Sequence, residues 1–496
     1  MVKFAGPGSF DLLEGPEVAR LSRRNQVYKS CLKAILDGRL WRGARLPSAR
    51  ELARGWKISR NTIDEALLQL QDEGFLERRV GDGTYVAEHL PVRLAAEAEP
   101  RKMRRASRAG QMAVETFSAW AQGAVSSHVP HGAPRPKAFM GGFPALDAFP
   151  LDLWQRITAR RTRSEGRALL AYFPTMGYGP LREAVARHLA HARGVVCSPD
   201  QVMILTSSIQ GLDLIGRVLV ERGEEAWVEE AGYPNVSVSL SMSGLKPVRV
   251  PVDEEGLDVA AGRAKARNAA LAHVAPACNY ATGAQLSLKR RLALLQWAES
   301  AGAWIVEDDY QGEFTHEGRA LETLYSLDRG TRVLHIGTFT NSMFPSLRLA
   351  YLVIPPPMCA VFEAVRAQLD DHTHGIAQAV LADFIDEGHF GAHLRRMRPI
   401  YRERREALLD ACHRYLPQGT VGPAVAGMTV PLNLPRSIPD RNLRARGREA
   451  GLELMPLSRY HASLNGLHLG FTALSPAVIR EGARRLAVLL ARSRGG

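Results

Sequence analysis

Cysteine is scarce in this 496-residue chain, and its spacing excludes the sites that cysteine commonly builds. No two cysteines form a CxxC pair, and no histidine lies where a zinc module would place it. We therefore predict no metal site and no disulfide framework, and we expect a reducing compartment. The five cysteines are Cys31, Cys197, Cys278, Cys359 and Cys412.

Long apolar runs are also missing. The first twenty residues, "MVKFAGPGSFDLLEGPEVAR", lack the apolar core of a secretory signal. The run "LAYLVIPPPMCAVF" is interrupted by three prolines and is too short to span a bilayer. No fixed-period repeat and no Gly-rich dinucleotide fingerprint occurs. These absences predict a soluble, cytoplasmic protein without a membrane partner.

The length suits two or three domains, and 46% hydrophobic with 23% charged residues is ordinary for folded domains. The net charge of +13 is spread unevenly. Between Arg20 and Arg105 there are 19 Lys or Arg and 11 Asp or Glu. Such an excess favours a polyanionic partner, because neutralised phosphates release condensed counterions. The alternative is a basic face in contact with water only.

The segment from residue 25 to 87 has the punctuation of a helix-turn-helix followed by a hairpin. Val27, Leu32, Ile35 and Leu36 form one helical face that ends at Gly38. Ser48 precedes Glu51 by three residues, which predicts a capping box at the start of a second helix. Two short strands around "VGDG" predict a β-hairpin wing.

Ser59 is the predicted N-cap of the third helix, and its inward face is Ile63, Ala66, Leu67 and Leu70. Only "GWKI" separates helices two and three, as in a helix-turn-helix. The exposed start of the third helix carries Arg60, Asn61 and Thr62, where a recognition helix meets base edges. Arg pairs with guanine and Asn with adenine, each contributing about 1–3 kcal/mol of discrimination.

This segment resembles a GntR-type winged helix-turn-helix over roughly residues 20 to 88, through "GRL…G.RLPS.R.LA…SRNT….L..L..EG.LE.R.G.GT.V". The resemblance implies that the partner is a double-stranded DNA operator. Individually, the serines could act as helix caps and Arg45 as a solvated charge. The implied DNA contacts are Arg45, Ser48, Arg50, Ser59, Arg60, Asn61, Thr62, Gly81 and Thr84.

The organisation that we predict has four parts. Residues 1–19 are an N-terminal tail, and 20–88 form the winged helix-turn-helix domain. Residues 89–137, which include "EPRKMRRASRAGQ" and "HVPHGAPRPKAF", read as a basic and Pro-rich linker, because they cannot bury enough apolar surface to fold. Residues 138–496 form the large domain.

The large domain alternates apolar strand-like runs with helical stretches, which predicts an α/β fold with a mostly parallel sheet. The runs are "QVMIL", "AWVEE", "KPVRV", "LAHVAP", "AWIVEDD", "RVLHIG" and "LRLAYLVI". Four segments resemble a fold-type I aminotransferase that uses pyridoxal phosphate (PLP): "YFPTMGYGPLREAVARHL", "ILTSSIQGLDLI", "AWIVEDDYQGEF" and "GTFTNSMFPSLRLAYLV". With the GntR-type head, the chain resembles the MocR-type transcriptional regulators. A smaller C-terminal subdomain is part of that expected fold.

The resemblance implies a set of cofactor contacts. Asp308 faces the pyridine nitrogen, Tyr310 and Asn279 reach the phenolic oxygen, and Tyr233 stacks on the ring. The phosphate is expected to be held by a hydroxyl, a guanidinium and helix N-terminal N–H groups. These phosphate contacts are Ser208, Ile209, Gln210, Thr338 and Arg348.

At the position of the Schiff-base lysine, the resemblance places Asn341, and no lysine follows Lys289. Transamination needs an amine as imine-former and then as base, and an amide serves neither purpose because its lone pair is delocalised. Three other departures occur: Ser208 and Ile209 in the phosphate turn, Ala281 in place of a proline, and His468 in place of a carboxylate-binding arginine. We therefore predict that the chain is not an enzyme: it has no catalytic residue and is a pseudo-aminotransferase that lacks the catalytic lysine.

Asp308 nevertheless predicts a ligand, because a carboxylate buried without a cationic partner is costly. We expect PLP, or an amino acid–PLP adduct, to bind non-covalently. The favoured hypothesis is a homodimeric DNA-binding regulator whose aminotransferase-like domain senses a small-molecule effector. The alternatives are a PLP-dependent aminotransferase with a regulatory DNA-binding head, and a ligand-free scaffold whose large domain only dimerises.

Overall fold

A computed structural model of the chain describes residues 22–79, 81–90, 136–316 and 321–492. The predicted tail (1–19) and almost all of the predicted linker (89–137) lie outside these ranges. The chain divides into two compact units between residues 116 and 117, within that linker. The exact domain limits remain predictions.

The first unit is a three-helix domain with a β-hairpin. Ser48 and Glu51 form the predicted capping box, and Ser59 caps the third helix as expected. Ile63, Ala66, Leu67 and Leu70 are all buried, so the inward face of that helix is confirmed. The bounds are α1 Arg23–Leu36, α2 Ala49–Trp56, α3 Arg60–Asp72, β1 Leu76–Arg79 and β2 Gly83–Val86.

The second unit is built on a seven-stranded sheet of order β3-β11-β10-β9-β8-β4-β5. Only β11 runs antiparallel to its neighbours, so the predicted mostly parallel sheet is confirmed. Each of the seven apolar runs in the sequence forms one of these strands. Their bounds are β3 Val202–Leu205, β4 Glu225–Glu229, β5 Lys246–Val250, β8 Leu271–Val274, β9 Trp304–Asp308, β10 Val333–Thr338 and β11 Ala350–Val353.

Helices cover this sheet and alternate with its strands. A short hairpin, β6 Val252–Asp253 with β7 Gly256–Leu257, lies between them in sequence. The helices are α4 Leu151–Glu165, α5 Gly179–Arg193, α6 Ser208–Leu219, α7 Pro234–Met242, α8 Val259–Lys265, α9 Leu288–Ala301, α10 Leu324–Asp328, α11 Cys359–Leu369 and α12 Gly375–Asp386. Within the described ranges, no helix has both the length and the apolar character needed to cross a membrane.

A C-terminal subdomain follows, as expected. Its antiparallel sheet has the order β12-β13-β15-β14. The 27-residue helix α13, His389–Tyr415, leads into it and packs against the last helix, α15. The other bounds are β12 Thr420–Val421, β13 Thr429–Asn433, α14 Leu443–Glu449, β14 Met455–Pro456, β15 Gly466–Gly470 and α15 Pro476–Ala491.

The parallel strands place one edge of the sheet under the candidate site. Strands β4, β8, β9 and β10 lie side by side and run in the same direction. Their carboxyl ends therefore meet at one edge, where open α/β sheets bind ligands. Glu229, Asp308 and Thr338 are the last residues of three of these strands.

The turn before α5 requires a glycine, which gives a stability test. Gly177 has φ +108°, and a Cβ there would lie 2.6 Å from Ile204 of β3, whereas a Cβ on Gly302 (φ +69°) would meet nothing within 4 Å. We expect Gly302→Ala to cost about 1–2 kcal/mol from backbone strain. Gly177→Ala should cost about 1–3 kcal/mol more, from overpacking. Urea unfolding of both variants measures the difference, and equal losses would contradict the packing argument.

Candidate functional site

The start of α3 is capped and carries two exposed polar side chains. Ser59 Oγ accepts a hydrogen bond from the backbone N–H of Thr62 at 3.2 Å, and its hydroxyl also contacts Thr62 Oγ1 at 2.7 Å. Arg60 and Asn61 are exposed, and Arg60 Nε lies 3.4 Å from Asp64. Ser59 and Thr62 thus hold the helix end, while Arg60 and Asn61 extend from it.

The second predicted serine has the same role. Ser48 Oγ accepts from the N–H of Glu51 at 3.3 Å, and Glu51 accepts from the N–H of Ser48 at 2.7 Å. Arg50, in the first turn of α2, is exposed. Both serines cap a helix, and both are exposed at the starts of α2 and α3.

Gly81 and Thr84 belong to the wing hairpin, and Arg45 lies beside its second strand. Arg45 pairs with Tyr85 as an isolated bridge, and a Cβ on Gly83 would lie 3.0 Å from its Nε. Gly81 has φ +80° and open space around it, so the turn backbone is accessible. Thr84, half-buried on β2, accepts a hydrogen bond from the N–H of Leu46 through its carbonyl. Sequence reasoning missed Arg79, whose guanidinium lies 4.3 Å from the ring centre of Tyr85.

In the large unit, three buried polar atoms around Asp308 have no close hydrogen-bond partner among the described residues. They are Oδ1 of Asp308, Nδ2 of Asn279 and Nε2 of His273. The carbonyl oxygen of the Asn279 side chain accepts from Ala281 and Thr282, which fixes the amide with its NH₂ group outward from that turn. The Asn279 amide also interacts with the carboxyl of Glu229 and lowers its pKa, so the open acceptor of Asp308 is the clearer sign of a missing partner.

Asp308 has a histidine neighbour that the sequence did not reveal. Its Oδ2 lies 3.5 Å from Nε2 of His273, on the adjacent strand β8. Its other oxygen, Oδ1, has no hydrogen-bond partner among the described residues. Burial raises the pKa of Glu229, at the end of β4, to about 7, and the charge of His273 opposes this shift.

Asn341 and Tyr310 are tied to the backbone. The amide Nδ2 of Asn341 donates to the carbonyl of Tyr310 at 3.0 Å, and the Tyr310 hydroxyl donates to the carbonyl of Cys278 at 3.0 Å. Burial raises the pKa of Tyr310 well above its usual range. Asn341 is therefore fixed as a hydrogen-bond donor, and Tyr310 keeps its proton and offers only its oxygen lone pairs to a ligand.

Ser208 and Ile209 occupy the first two positions of α6, whose N–H groups lack intrahelical partners. The N–H of Gln210 donates to Ser207 Oγ, and its side chain binds Thr206 and Asp370. Phosphate binding by these three residues remains a prediction, and for Gln210 that contact would compete with the bond to Ser207.

Thr338 and Arg348 have different environments. Thr338 Oγ1 donates to Thr340 Oγ1 at 3.0 Å and accepts from the Thr340 N–H. Arg348 is exposed in the left-handed conformation (φ +52°), and it makes no ion pair or hydrogen bond with a described residue. The left-handed backbone of Arg348 is strained, and its guanidinium has no ion-pair partner among the described residues. Backbone strain of this kind is common at functional sites.

An aromatic cluster surrounds His468, the residue that the aminotransferase resemblance aligns with a carboxylate-binding arginine. The ring of Tyr280 is 5.0 Å from Tyr233, 5.3 Å from Tyr460 and 5.2 Å from His468. Burial lowers the pKa of His468 to about 4. A neutral imidazole among phenol rings cannot replace a guanidinium as a carboxylate ligand.

Comparisons with known proteins agree with both units. Residues 147–453 match the model of the family "Aminotransferase class I and II", and residues 23–86 match that of "Bacterial regulatory proteins, gntR family". The chain is 34% identical to the probable rhizopine catabolism regulatory protein MocR of Rhizobium meliloti, over 94% of both chains. This chain belongs to the MocR-type regulator family.

Other relatives of this MocR-type regulator include both regulators and enzymes. It is 32% identical to the HTH-type transcriptional regulator TauR of Rhodobacter capsulatus, over 94% of this chain and 96% of that one. The structure of LysN, the α-aminoadipate aminotransferase of Thermus thermophilus complexed with N-(5'-phosphopyridoxyl)-L-leucine, matches at a TM-score of 0.67 and 28% identity. That match covers 76% of this chain and 98% of LysN. The expected fold and the regulator class are confirmed.

Several residues of the MocR-type site escaped sequence reasoning. His273, Glu229 and Tyr280 lie on different strands and turns, so only strand register brings them together. Ser207 was detectable, because a serine three residues before Gln210 is an N-cap signal. Among the described residues, no group of His, Cys, Asp or Glu side chains is arranged to hold a metal ion.

The buried carboxyl of Glu229 gives a pH-dependent prediction. Its folded pKa of about 7 exceeds the ordinary value of 4.5, so the folded state binds the proton more tightly than the unfolded state. The contribution of Glu229 to the free energy of unfolding should therefore fall as pH rises between these values, by on the order of 3 kcal/mol, against the opposite contribution of the buried His468, whose pKa is lowered to about 4. Glu229→Gln should lack this fall, whereas the exposed Glu254→Gln should retain it. Urea unfolding between pH 4.5 and 8 tests this, and parallel curves for wild type and Glu229→Gln would refute it.

Proposed function

We propose that this MocR-type regulator binds DNA through its winged head and binds PLP, or an amino acid–PLP adduct, non-covalently in its large domain, without amino-group transfer. The observation that carries the proposal is the combination of open cofactor contacts at Asp308 and Asn279 with an amide at position 341.

The described residues fit a pyridoxal compound. Asp308 Oδ1 would accept from the pyridinium N–H, and Asn279 Nδ2 would donate to the phenolic oxygen. The free N–H groups of Ser208 and Ile209, with the exposed Arg348, would bind the phosphate. Tyr233 would pack on the ring. When bound, PLP supplies an electron sink for carbanion chemistry at an amino acid.

The residues that would use that chemistry are replaced. Asn341 donates its amide hydrogen to a backbone carbonyl and has no basic lone pair to form an imine or move a proton. His468 is neutral and buried, so it does not bind a substrate carboxylate as an arginine would. These two facts disfavour the alternative of a working aminotransferase. The unpartnered buried atoms disfavour a ligand-free scaffold, since such atoms are destabilising without a partner.

A homodimer is part of the proposal. Leu170 is 77% exposed and Tyr172 is 91% exposed, and Leu151, at the start of α4, is 56% exposed. Large apolar side chains so exposed in one region are typical of an interface. A two-fold dimer would present two recognition helices to paired half-sites. A ligand with different affinity for two arrangements of the dimer would then change DNA affinity.

The ligand prediction separates binding from covalent attachment. Wild-type protein mixed with PLP should show a visible absorbance band and a thermal shift, equal to about 2.7 kcal/mol at a hundredfold excess over Kd. Dialysis should remove the band, and borohydride should leave position 341 unmodified in peptide mass maps. Asn341→Lys should be modified there, and Asp308→Ala should weaken binding in both backgrounds.

Two outcomes would contradict this proposal. A borohydride-stable adduct on the wild-type site, or exchange of amino groups between an amino acid and a keto acid with added PLP, would show that the site is catalytic. Absence of any band or shift would favour the scaffold instead.

The DNA prediction concerns α3. Duplexes selected by the wild-type protein from a random pool should bind Arg60→Ala and Asn61→Ala about 5- to 150-fold more weakly, because each loses one base contact worth about 1–3 kcal/mol. Gln71→Ala, near the other end of α3, should bind as wild type does. Fluorescence anisotropy at one fixed salt concentration measures these affinities. Equal binding by all four proteins would exclude α3 as the recognition helix.

A further inference from the structure

The large domain separates its charges between two regions of sequence. Residues 389–496 contain 18 arginines and no lysine against seven Asp or Glu, an excess of eleven positive charges. Residues 138–388 contain 23 Lys or Arg and 29 Asp or Glu, an excess of six negative charges. Helix α13 and the C-terminal subdomain are therefore strongly basic, although the rest of the large domain is acidic.

Two arginines, Arg414 and Arg484, contact one phenol ring at the end of α13, that of Tyr415. Arg484, from α15, donates to the hydroxyl of Tyr415 at 3.3 Å, and its guanidinium lies 5.4 Å from the ring centre. The guanidinium of Arg414 lies 5.5 Å from the same ring. The hydrogen bond from Arg484, with the charges of Arg414, Arg484 and Arg480, lowers the pKa of Tyr415. Like charges are thus held close together without a matching set of carboxylates.

Among the described residues, one carboxylate forms ion pairs with this cluster. Glu481 lies 3.5 Å from Arg484 Nη1 and 3.1 Å from Arg485 Nε, so two arginines share it. Arg414 and Arg480 are exposed, and neither makes an ion pair with a described residue. A concentration of uncompensated guanidinium groups stabilises a bound polyanion, because each group donates through a planar fork that matches phosphate oxygens.

A second group of arginines lies nearer the start of α13. Arg395, Arg398 and Arg402 are spaced i, i+3 and i+7, so they share one face of the helix, and all three are exposed. None of the three forms an ion pair with another described side chain. From Arg395 to Arg414 the helix rises about 28 Å. A DNA duplex of that length carries about 16 phosphate charges.

We define the arginine surface as Arg395, Arg398, Arg402, Arg414, Arg480 and Arg484. We propose that it is a second DNA-binding surface, which contacts the phosphate backbone of DNA flanking the sequence bound by the head. The inference rests on the proposed DNA-binding function. Phosphate contacts position a protein on DNA and carry no base information, so the surface adds affinity and salt dependence without sequence preference.

The test compares full-length proteins on a 20-bp duplex that carries the selected sequence and on a 60-bp duplex with that sequence at its centre. For the wild type, the slope of log Kobs against log salt should be steeper on the longer duplex. The triple variant Arg414→Ala, Arg480→Ala, Arg484→Ala should lose up to about 2.7 of that slope, from about 0.9 for each phosphate contact. Its slope on the short duplex should equal that of the wild type.

A matched control removes three other exposed arginines of the large domain, Arg156, Arg163 and Arg263, which make no ion pair with a described residue. This triple variant changes the net charge equally and should keep the wild-type slopes. Thermal melting confirms that both variants are folded. A second variant, Arg395→Ala with Arg398→Ala and Arg402→Ala, which leaves the Tyr415 contacts intact, should also lower the long-duplex slope.

The outcomes are distinguishable. If the wild type has the same slope on both duplexes, or if the arginine variants and the control lose slope equally, the arginine surface does not bind DNA, and its charge serves another anionic partner. If the wild type binds neither duplex, the proposed DNA-binding function itself fails.

Discussion

A buried carboxylate at the carboxyl edge of the parallel sheet constrains the whole candidate site. Asp308 is buried with one oxygen 3.5 Å from His273 and the other without a partner. Keeping such a group ionised costs several kcal/mol unless a cation or donor offsets it. In the proposed function, the open oxygen of Asp308 would complement the N–H of a pyridinium-like ligand.

The same pocket lacks the group that would convert binding into reaction. An amine at position 341 would form an imine and then carry a proton, whereas the amide of Asn341 donates one hydrogen bond to the carbonyl of Tyr310. In the proposed function, binding and catalysis would depend on different residues of this fold. Such a site would transfer only the free energy of binding, which is what a ligand-dependent regulator requires.

Local features of the fold were predictable from the sequence, and contacts between distant segments were not. The capping box at Ser48, the cap at Ser59 and the seven apolar strands each depend on a few neighbouring residues. The His273–Asp308 contact depends on the register of β8 against β9, in which His273 pairs with Val306. The side chain of Gln210 binds Asp370, which is 160 positions away in sequence. Neither contact leaves a signal in composition or periodicity.

The basic C-terminal region of the large domain and the amide at position 341 fit one proposed organisation, in which the large domain binds both DNA and a ligand. The proposed base contacts at Arg60 and Asn61 would supply discrimination, whereas phosphate contacts would supply affinity that depends on salt and on DNA length. Phosphate contacts on the large domain, through Arg414 and Arg484, would give the DNA a direct interaction with the domain that is proposed to bind the ligand. Any ligand-dependent change in that unit would then alter DNA affinity without requiring a change in the recognition helix, because coupling needs only a difference in binding free energy between two states.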